Sequence, residues 1–502
     1  MLGADLPMSS RQGFRLDKIV GAAMPSRASR ASESTTTKPS RFRDSAIDDI
    51  AFAAIVLGLL LGPFCFGGNL PLSWGIQGIW FPAASLLYEV GRLIAGRRHP
   101  IAIRRIGLSC VCIGAVTAWA AMQIYQGISE PYQHPLWQMA RDALHRDLPG
   151  AISINVDETM LSLVRLGTAV CVFWTTMQLC HSARRAHQLV TAVAAIGALY
   201  ASYVVISFFV FPGAVLWYEK WNYTQAAPSK FAYSNTYATY AGIGLIASIA
   251  LAIDQFAAFD GVRSTGRKIA GVVAAMTGPG GVWLAAAGVI VVAATLTAAR
   301  GGIFSTFGGL AALLALIVLR RRGKGVVAGI GALTAMAIVG SIAYVFGDAF
   351  ANRLELPGFN SQDRLAVYRL GILSILDAPY SGSGWGTFRD VFPMYRDSSL
   401  GPFGVWNVAR NTYVEEFQGL GIPAASILLV GVGVLVGRTI YGSFTRKHGS
   451  IVPIVATAAT FIVSLEAFVD YGIQIQAVAL TWTAILAAGV AQSWSRRELT
   501  DR

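Results

Sequence analysis

Apolar runs of about 18–22 residues recur along most of the chain, each long enough to cross ~30 Å of hydrocarbon. In lipid, every backbone polar group must find its partner within its own segment, so a chain of this kind folds as a bundle of membrane-crossing helices. The period-two alternation of a membrane barrel strand is absent. Spans are predicted near 46–66, 71–95, 106–126, 159–180, 189–211, 233–253, 281–299, 302–319, 326–346, 421–437, 451–469 and 472–491. The expected fold class is all-α, a polytopic transmembrane helical bundle of about twelve spans.

The formal net charge is +13 although only 13% of residues are charged. The cations gather in short segments between apolar runs: 97–105, 182–188, 263–268, 320–324 and 438–447. That is the positive-inside pattern of a membrane protein, and it argues against a nucleic-acid-binding surface. An even number of spans separates successive basic loops, so one topology satisfies them all, with both termini cytoplasmic. The division expected is a disordered basic tail over 1–45, spans one to nine over 46–346, a large loop on the outer face over 347–412, spans ten to twelve over 413–493 and a cytoplasmic tail over 494–502. The first 45 residues carry no apolar stretch and read as a tail, with the first span acting as the insertion signal. Segments 127–158 and 212–232 would also lie on the outer face. Within the large loop, "SQDRLAVYRLGILSILDAPYSG" predicts a helix that Ser361 caps and Pro379 stops. All five cysteines fall in apolar runs without metal-ligand spacing.

Arg300 lies between two apolar runs in "TLTAARGGIFSTFGGL". The topology brings it to the outer boundary of a span, where a guanidinium meets an anion at small insertion cost. Other arginines of the same face stand beside aromatic residues: Arg364, Arg369 and Arg389 near Tyr368, Trp385, Tyr395 and Trp406. Arginine's planar fork grips phosphate oxygens in pairs, and aromatic faces suit sugar rings. "SGSGWGTF" (381–388) is a weak nucleotide loop but a plausible flexible loop whose amides approach a ligand. Acid–base candidates are Glu415, Glu416, Glu466 and Asp470 at span edges, with His134 and His145 in the first outer loop.

Taken in order, these segments resemble the bacterial O-antigen ligase/polymerase family, integral membrane glycosyltransferases that use undecaprenyl-pyrophosphate-linked glycans. "FAYSNTYATYAGIGL", with Asn235, is similar to the family's Asn-containing start of a mid-chain span. "TLTAARGGIFSTFGGL" resembles its Ser-Arg-Gly-Gly segment, with Ala299 for Ser. "RLAVYRLGILSILDAPYSGSGWGTF" resembles its Arg-led helix followed by Pro and Gly-x-Gly-x-Gly-x-Phe. "ARNTYVEEFQGLGIPAA" resembles its Asn-x-Tyr segment, and "EAFVDYGIQIQAVAL" its Val-Asp segment. The resemblance covers roughly residues 230–490.

The resemblance implies that Arg300 and Arg364 hold the pyrophosphate, with Glu416 and Asp470 as further catalytic candidates. It implies a substrate-binding set of Asn235, Arg369, Gly382, Gly384, Trp385, Gly386, Phe388, Arg410, Asn411 and Tyr413. Arg410 stands where the family usually has His, Gly419 where it has Glu, and Glu466 where it has another His. With that histidine absent, either a carboxylate or His145 takes the proton, or the acceptor hydroxyl needs little help. The partners implied are an undecaprenyl-pyrophosphate-linked oligosaccharide donor, a glycan or lipid A–core acceptor, membrane lipid and other polysaccharide-assembly proteins, with no nucleic acid. Arginines supply the positive charge, so neither a metal nor another cofactor is expected. The expected activity is glycan transfer in lipopolysaccharide or exopolysaccharide biosynthesis. Its rivals are a lipid-linked glycan transporter or flippase and a non-catalytic component of a polysaccharide export machine.

Overall fold

The computed structural model describes residues 38–64, 66–210, 214–215, 218–219, 234–257, 271, 273–297, 299–320, 361–400, 406–446 and 450–494. The chain divides into two units, Met1–Ala46 and Ile47–Arg502; the described part of the first is the opening of one helix, and the site lies in the second. Apart from a two-residue ladder pairing Ala214–Val215 with Tyr218–Glu219, the regular structure described is helical. In chain order the helices are α1 (Lys38–Leu61), α2 (Pro71–Ile94), α3 (Gly107–Gln123), α4 (Pro135–Leu144), α5 (Val156–Leu179), α6 (Ala183–Val210) and α7 (Ser234–Ala257). There follow α8 (Pro279–Leu296), α9 (Arg300–Arg320), α10 (Ser361–Asp377), α11 (Phe388–Val391), α12 (Thr412–Thr445), α13 (Ile451–Glu466) and α14 (Gln476–Gln492).

Among the described residues, seven helices are long and apolar enough to cross a membrane, from the 18 residues of α8 to the 34 of α12. Two shorter apolar helices, α13 and α14, accompany them. Each predicted span coincides with a helix except 326–346, which lies outside the described residues. The reason is local: lipid forces each apolar run to satisfy its own amides.

α7 forms the middle of the packing, with α6, α8, α9 and α13 against it. Small residues let these backbones approach. Where α6 meets α7, a Cβ on Gly197 would stand 3.0 Å from the Cα of Gly244. On α9, a Cβ on Gly309 would stand 2.9 Å from Ile246 Cδ1 of α7 and 3.0 Å from the Ala458 carbonyl of α13. Among the described residues, the basic segments 97–105 and 438–447 meet at one end of the bundle. Arg438 and Arg446 donate to the carbonyls of Ser493 and Trp494 at 2.9 and 2.8 Å, and Arg105 lies over the Trp494 ring. These cations complement the negative C-terminal end of α14. The opposite end, termed upper, is where α2, α5, α12 and α14 begin and α3 and α13 finish.

At the upper end α12 is broken. Gly421 has φ 78° and ψ 160° inside it, and Pro423 follows with no amide hydrogen to give. The predicted span 421–437 therefore starts at the break, and Thr412–Leu420 forms a short half-helix leading into it.

Candidate active site

A broken helix leaves carbonyls without partners, which low-dielectric surroundings make costly. Here the glycine loop supplies them. Gly382, Gly384 and Gly386 all lie at positive φ, 64°, 109° and 84°. Ser383 N and Gly384 N donate to the carbonyls of Gln418 and Gly419 at 3.1 Å each, and Ile422 N donates back to Pro379 O at 2.7 Å. From α3, Trp119 Nε1 donates to Leu420 O at 2.9 Å and Gln123 Nε2 to Gly419 O at 2.8 Å. Gly382 N also donates to Ala378 O at 2.9 Å and Trp385 N to Gln123 Oε1 at 3.2 Å. The amides of residues 382–385, expected from the sequence to approach a ligand, are taken up in clasping the break in α12. Gly386 packs against Ser162 Oγ of α5. Phe388 is also interior, 3% exposed and stacked on Phe392 at 4.9 Å between ring centroids.

α10 carries Arg364 and Tyr368 four residues apart, hence on one face. The Tyr368 hydroxyl donates to the Arg410 carbonyl at 2.9 Å. Arg410 sits in the left-handed region at φ 55°, immediately before the half-helix of α12. Its Nη1 stands 3.9 Å from Oδ2 of Asp470, whose side chain is 2% exposed. Burial pushes the Tyr368 phenol up; Arg364 and Arg410 pull it down, and Asp470 pushes it up.

Neighbouring candidates have defined local jobs. Asn411 is the N-cap of α12, its Oδ1 accepting from Val414 N at 3.2 Å. Tyr413 donates to Ser464 O at 3.2 Å and packs on Phe468 with centroids 4.4 Å apart, tying α12 to α13. Glu415 accepts from Ala409 N at 2.6 Å and Gln474 Nε2 at 3.0 Å. Both oxygens of Glu466 accept from Gly472 N at 3.0 Å. Glu416 differs: it accepts a hydrogen bond from the Trp385 indole, while its shielded Oε2 has no protein partner. His134 caps α4 through Leu136 N at 3.3 Å, with burial lowering its pKa, and His145 ends the same helix at φ 48°.

The structure does not bring Arg369 to this cluster. Five residues on from Arg364, it points about 140° away around α10 and meets exposed Asp397 at 2.6 Å. Hydrogen bonds from Ser399, and then the Arg369 guanidinium, hold the Asp397 carboxyl below its ordinary range. Exposed pairs of this kind contribute little. Arg369→Ala is expected to leave complementation of a deletion strain within about threefold of wild type, measured as surface glycan per cell. Arg300 opens α9 and Asn235 lies in the first turn of α7, both at the upper end; their side chains fall outside the described residues.

Arg165, inside the predicted span 159–180, belongs to none of the motifs in the sequence. On α5 it donates through Nη2 to the Gln474 carbonyl and stacks 4.7 Å above Trp74, with Glu416 and Glu158 acting on its charge. A lone cation within an apolar run is the one signal of it that the sequence carries. Among the described residues, no group of three or more His, Cys, Asp or Glu stands close enough together to hold a metal ion.

Residues 283–429 match the model of the O-antigen ligase family. No curated protein matches the chain. The matched stretch runs from α8 through the break in α12, so it contains Arg300, Arg364, Arg410 and Glu416 but neither Arg165 nor Asp470.

Proposed function

We propose that this multi-pass membrane protein, O-antigen-ligase-like over residues 283–429, is a glycosyltransferase working on lipid-linked glycans at the periplasmic face of a bacterial inner membrane. The upper end faces the periplasm, with about twelve spans and both termini cytoplasmic. The donor is an oligosaccharide on undecaprenyl pyrophosphate, and the acceptor is a sugar hydroxyl of a glycan or of lipid A–core. Arg300 and Arg364 hold the pyrophosphate, assisted by Arg410, which Asp470 and Tyr368 position.

The acceptor oxygen attacks the anomeric carbon as the bond from that carbon to the pyrophosphate oxygen breaks. The leaving group keeps the bonding electron pair as undecaprenyl pyrophosphate, and the configuration inverts. The acceptor's proton passes to the carboxylate of Glu416, which takes the place of the family's missing histidine. Arginines contribute by stabilising charge as it develops on the departing phosphate: at ~4 Å and an effective dielectric near 20, one pair contributes about 4 kcal/mol before desolvation.

The observation that carries this reading is the polar cluster at the start of α12: Tyr368 donates to the Arg410 carbonyl at 2.9 Å, Arg410 Nη1 stands 3.9 Å from Asp470, and Arg364 lies one helical turn before Tyr368 on the same face of α10. The experiment is the surface-glycan profile of a deletion strain on a gel, with wild-type complementation. Bare core with polymer stranded on its carrier identifies a ligase; core bearing one repeat identifies a polymerase. Loss of exopolysaccharide with intact lipopolysaccharide moves the same chemistry to that product. Unchanged glycans of every class would overturn the reading.

A further inference from the structure

Across the 470–476 turn from Arg410 stands a second polar group that the pyrophosphate reading leaves unused. Arg165 donates through Nε to Gln476 Oε1 at 3.4 Å and stacks on Trp74. Gln77 lies three residues after Trp74 on α2. A Cβ on Gly68 would stand 2.9 Å from Gln77 Nε2 and 3.5 Å from Gln476 Cβ, so the two amides share a wall. From α12, Glu416 stands beside this group. Trp385, which donates to it, accepts through its carbonyl from Ser162 Oγ at 3.3 Å, three residues before Arg165 on α5. Gln474, whose carbonyl Arg165 holds, donates to the neighbouring Glu415 at 3.0 Å.

Four shielded polar atoms of this group have no protein partner: Trp74 Nε1, Gln77 Oε1, Glu416 Oε2 and Gln476 Nε2. Gln77 and Gln476 are 7% and 2% exposed, whereas Trp74, Arg165, Glu416 and Trp385 are half-buried, so the group has a closed floor and an open side. Every member lies within the first ten residues of α2, α5, α12 or α14, except Trp385, which is in the clasp. At 1.5 Å per residue the group therefore sits within about 14 Å of the upper end. Buried polar atoms in native proteins find partners, and polar residues inside an apolar bundle mark a ligand path.

The unpartnered atoms are two donors and two acceptors, and the one cation is matched by an anion. That combination suits an uncharged polyol, whose hydroxyls both donate and accept, and disfavours a phosphate. Trp74 and Trp385 add aromatic faces. We propose that Trp74, Gln77, Arg165, Glu416 and Gln476 form a subsite for an uncharged sugar ring, that of the acceptor, with its attacking hydroxyl directed to Glu416 Oε2. The assignment rests on the glycan-transfer reading.

The test is tryptophan fluorescence of the full-length protein in nanodiscs. It is titrated with neutral oligosaccharides released from the cell's own surface polysaccharide, with the same oligosaccharides after borohydride reduction of their reducing ends, and with inorganic pyrophosphate. A saturable signal is expected from both sugar preparations, lost in Trp74→Phe and weakened at least tenfold in Gln77→Leu and Gln476→Leu. It should be absent with pyrophosphate and unchanged within about twofold in Arg364→Ala, which removes a charge only from the other cluster. If one leucine variant fails to fold, the other and Trp74→Phe carry the result. No saturable signal means a merely hydrated cluster and overturns the proposal, as does binding lost in Arg364→Ala but kept in the leucine variants. Loss on reduction would assign the ring to the donor end and overturn the acceptor assignment. Sugar binding without any transfer activity would sink the transfer reading and leave the subsite standing.

Discussion

Arg364→Ala is expected to lower glycan transfer by about 10²–10³-fold while the protein still purifies as a monodisperse species. The side chain stands on the face of α10 that carries Tyr368, and its charge acts on the same phenol as Arg410 and Asp470. In the reaction we propose, removing it takes away one cation where negative charge would develop on the leaving pyrophosphate. The scaffold is left intact, because Val367 and Leu370 anchor α10 through a separate apolar core with Phe388 and Phe392. Arg364→Lys keeps the charge and loses the two-pronged geometry, so an intermediate rate is expected. The measurement is initial rate of product formation by membranes carrying equal amounts of each variant. Transfer at the wild-type rate by the alanine variant would remove the pyrophosphate from this position.

Gly382→Val is expected to yield no folded protein. Its backbone lies at φ 64°, which a β-branched residue adopts only under strain, and its Cβ would stand 2.5 Å from the Gly421 amide nitrogen and 2.7 Å from the Gly419 carbonyl carbon. All of these are backbone atoms, so no side chain can swing aside. Displacing the loop would strip the partner from the Gln418 carbonyl and from the Ile422 amide and leave the Gly419 carbonyl only Gln123. Each buried polar group left unpaired costs about 1–3 kcal/mol, against a whole stability of roughly 5–15 kcal/mol. The control lies in the same helix: a Cβ at Gly433 or Gly437 meets nothing within 4 Å. Gly433→Ala and Gly437→Ala should therefore purify normally. Yield and thermal midpoint in detergent decide the matter. A wild-type midpoint for Gly382→Val would mean that the clasp does not hold α12.

The order of motifs along the chain singles out Arg300, Arg364, Arg410 and Asp470 as candidates in the amino-acid sequence, since each stands in a recognisable segment. Their neighbours are legible there in position but not in role. Asn411 caps a helix, Tyr413 ties two helices together, and the glycines serve a broken span. A capping Asn and a loop Gly look the same in sequence whether the freed amide meets a ligand or a carbonyl of another helix. Arg369 and Arg364 share one segment, and only the helical turn of 100° per residue, fixed against α12, sends one inward and the other to Asp397. Arg165, Gln77 and Gln476 carry no motif at all. They belong to three helices separated by up to 399 positions in the chain, from Gln77 to Gln476.

By itself the sequence determined the material of the fold: helices and, where they are described, their positions. Lipid makes that outcome local, because an apolar run must pair its own amides wherever it lies. Tertiary structure alone decided where the regular pattern could be interrupted and what the interruption would hold. A span can break at Gly421 only because Trp119, Gln123 and the 382–385 loop arrive from distant segments to take its carbonyls. Those partners are set by packing between helices, and no single segment encodes them.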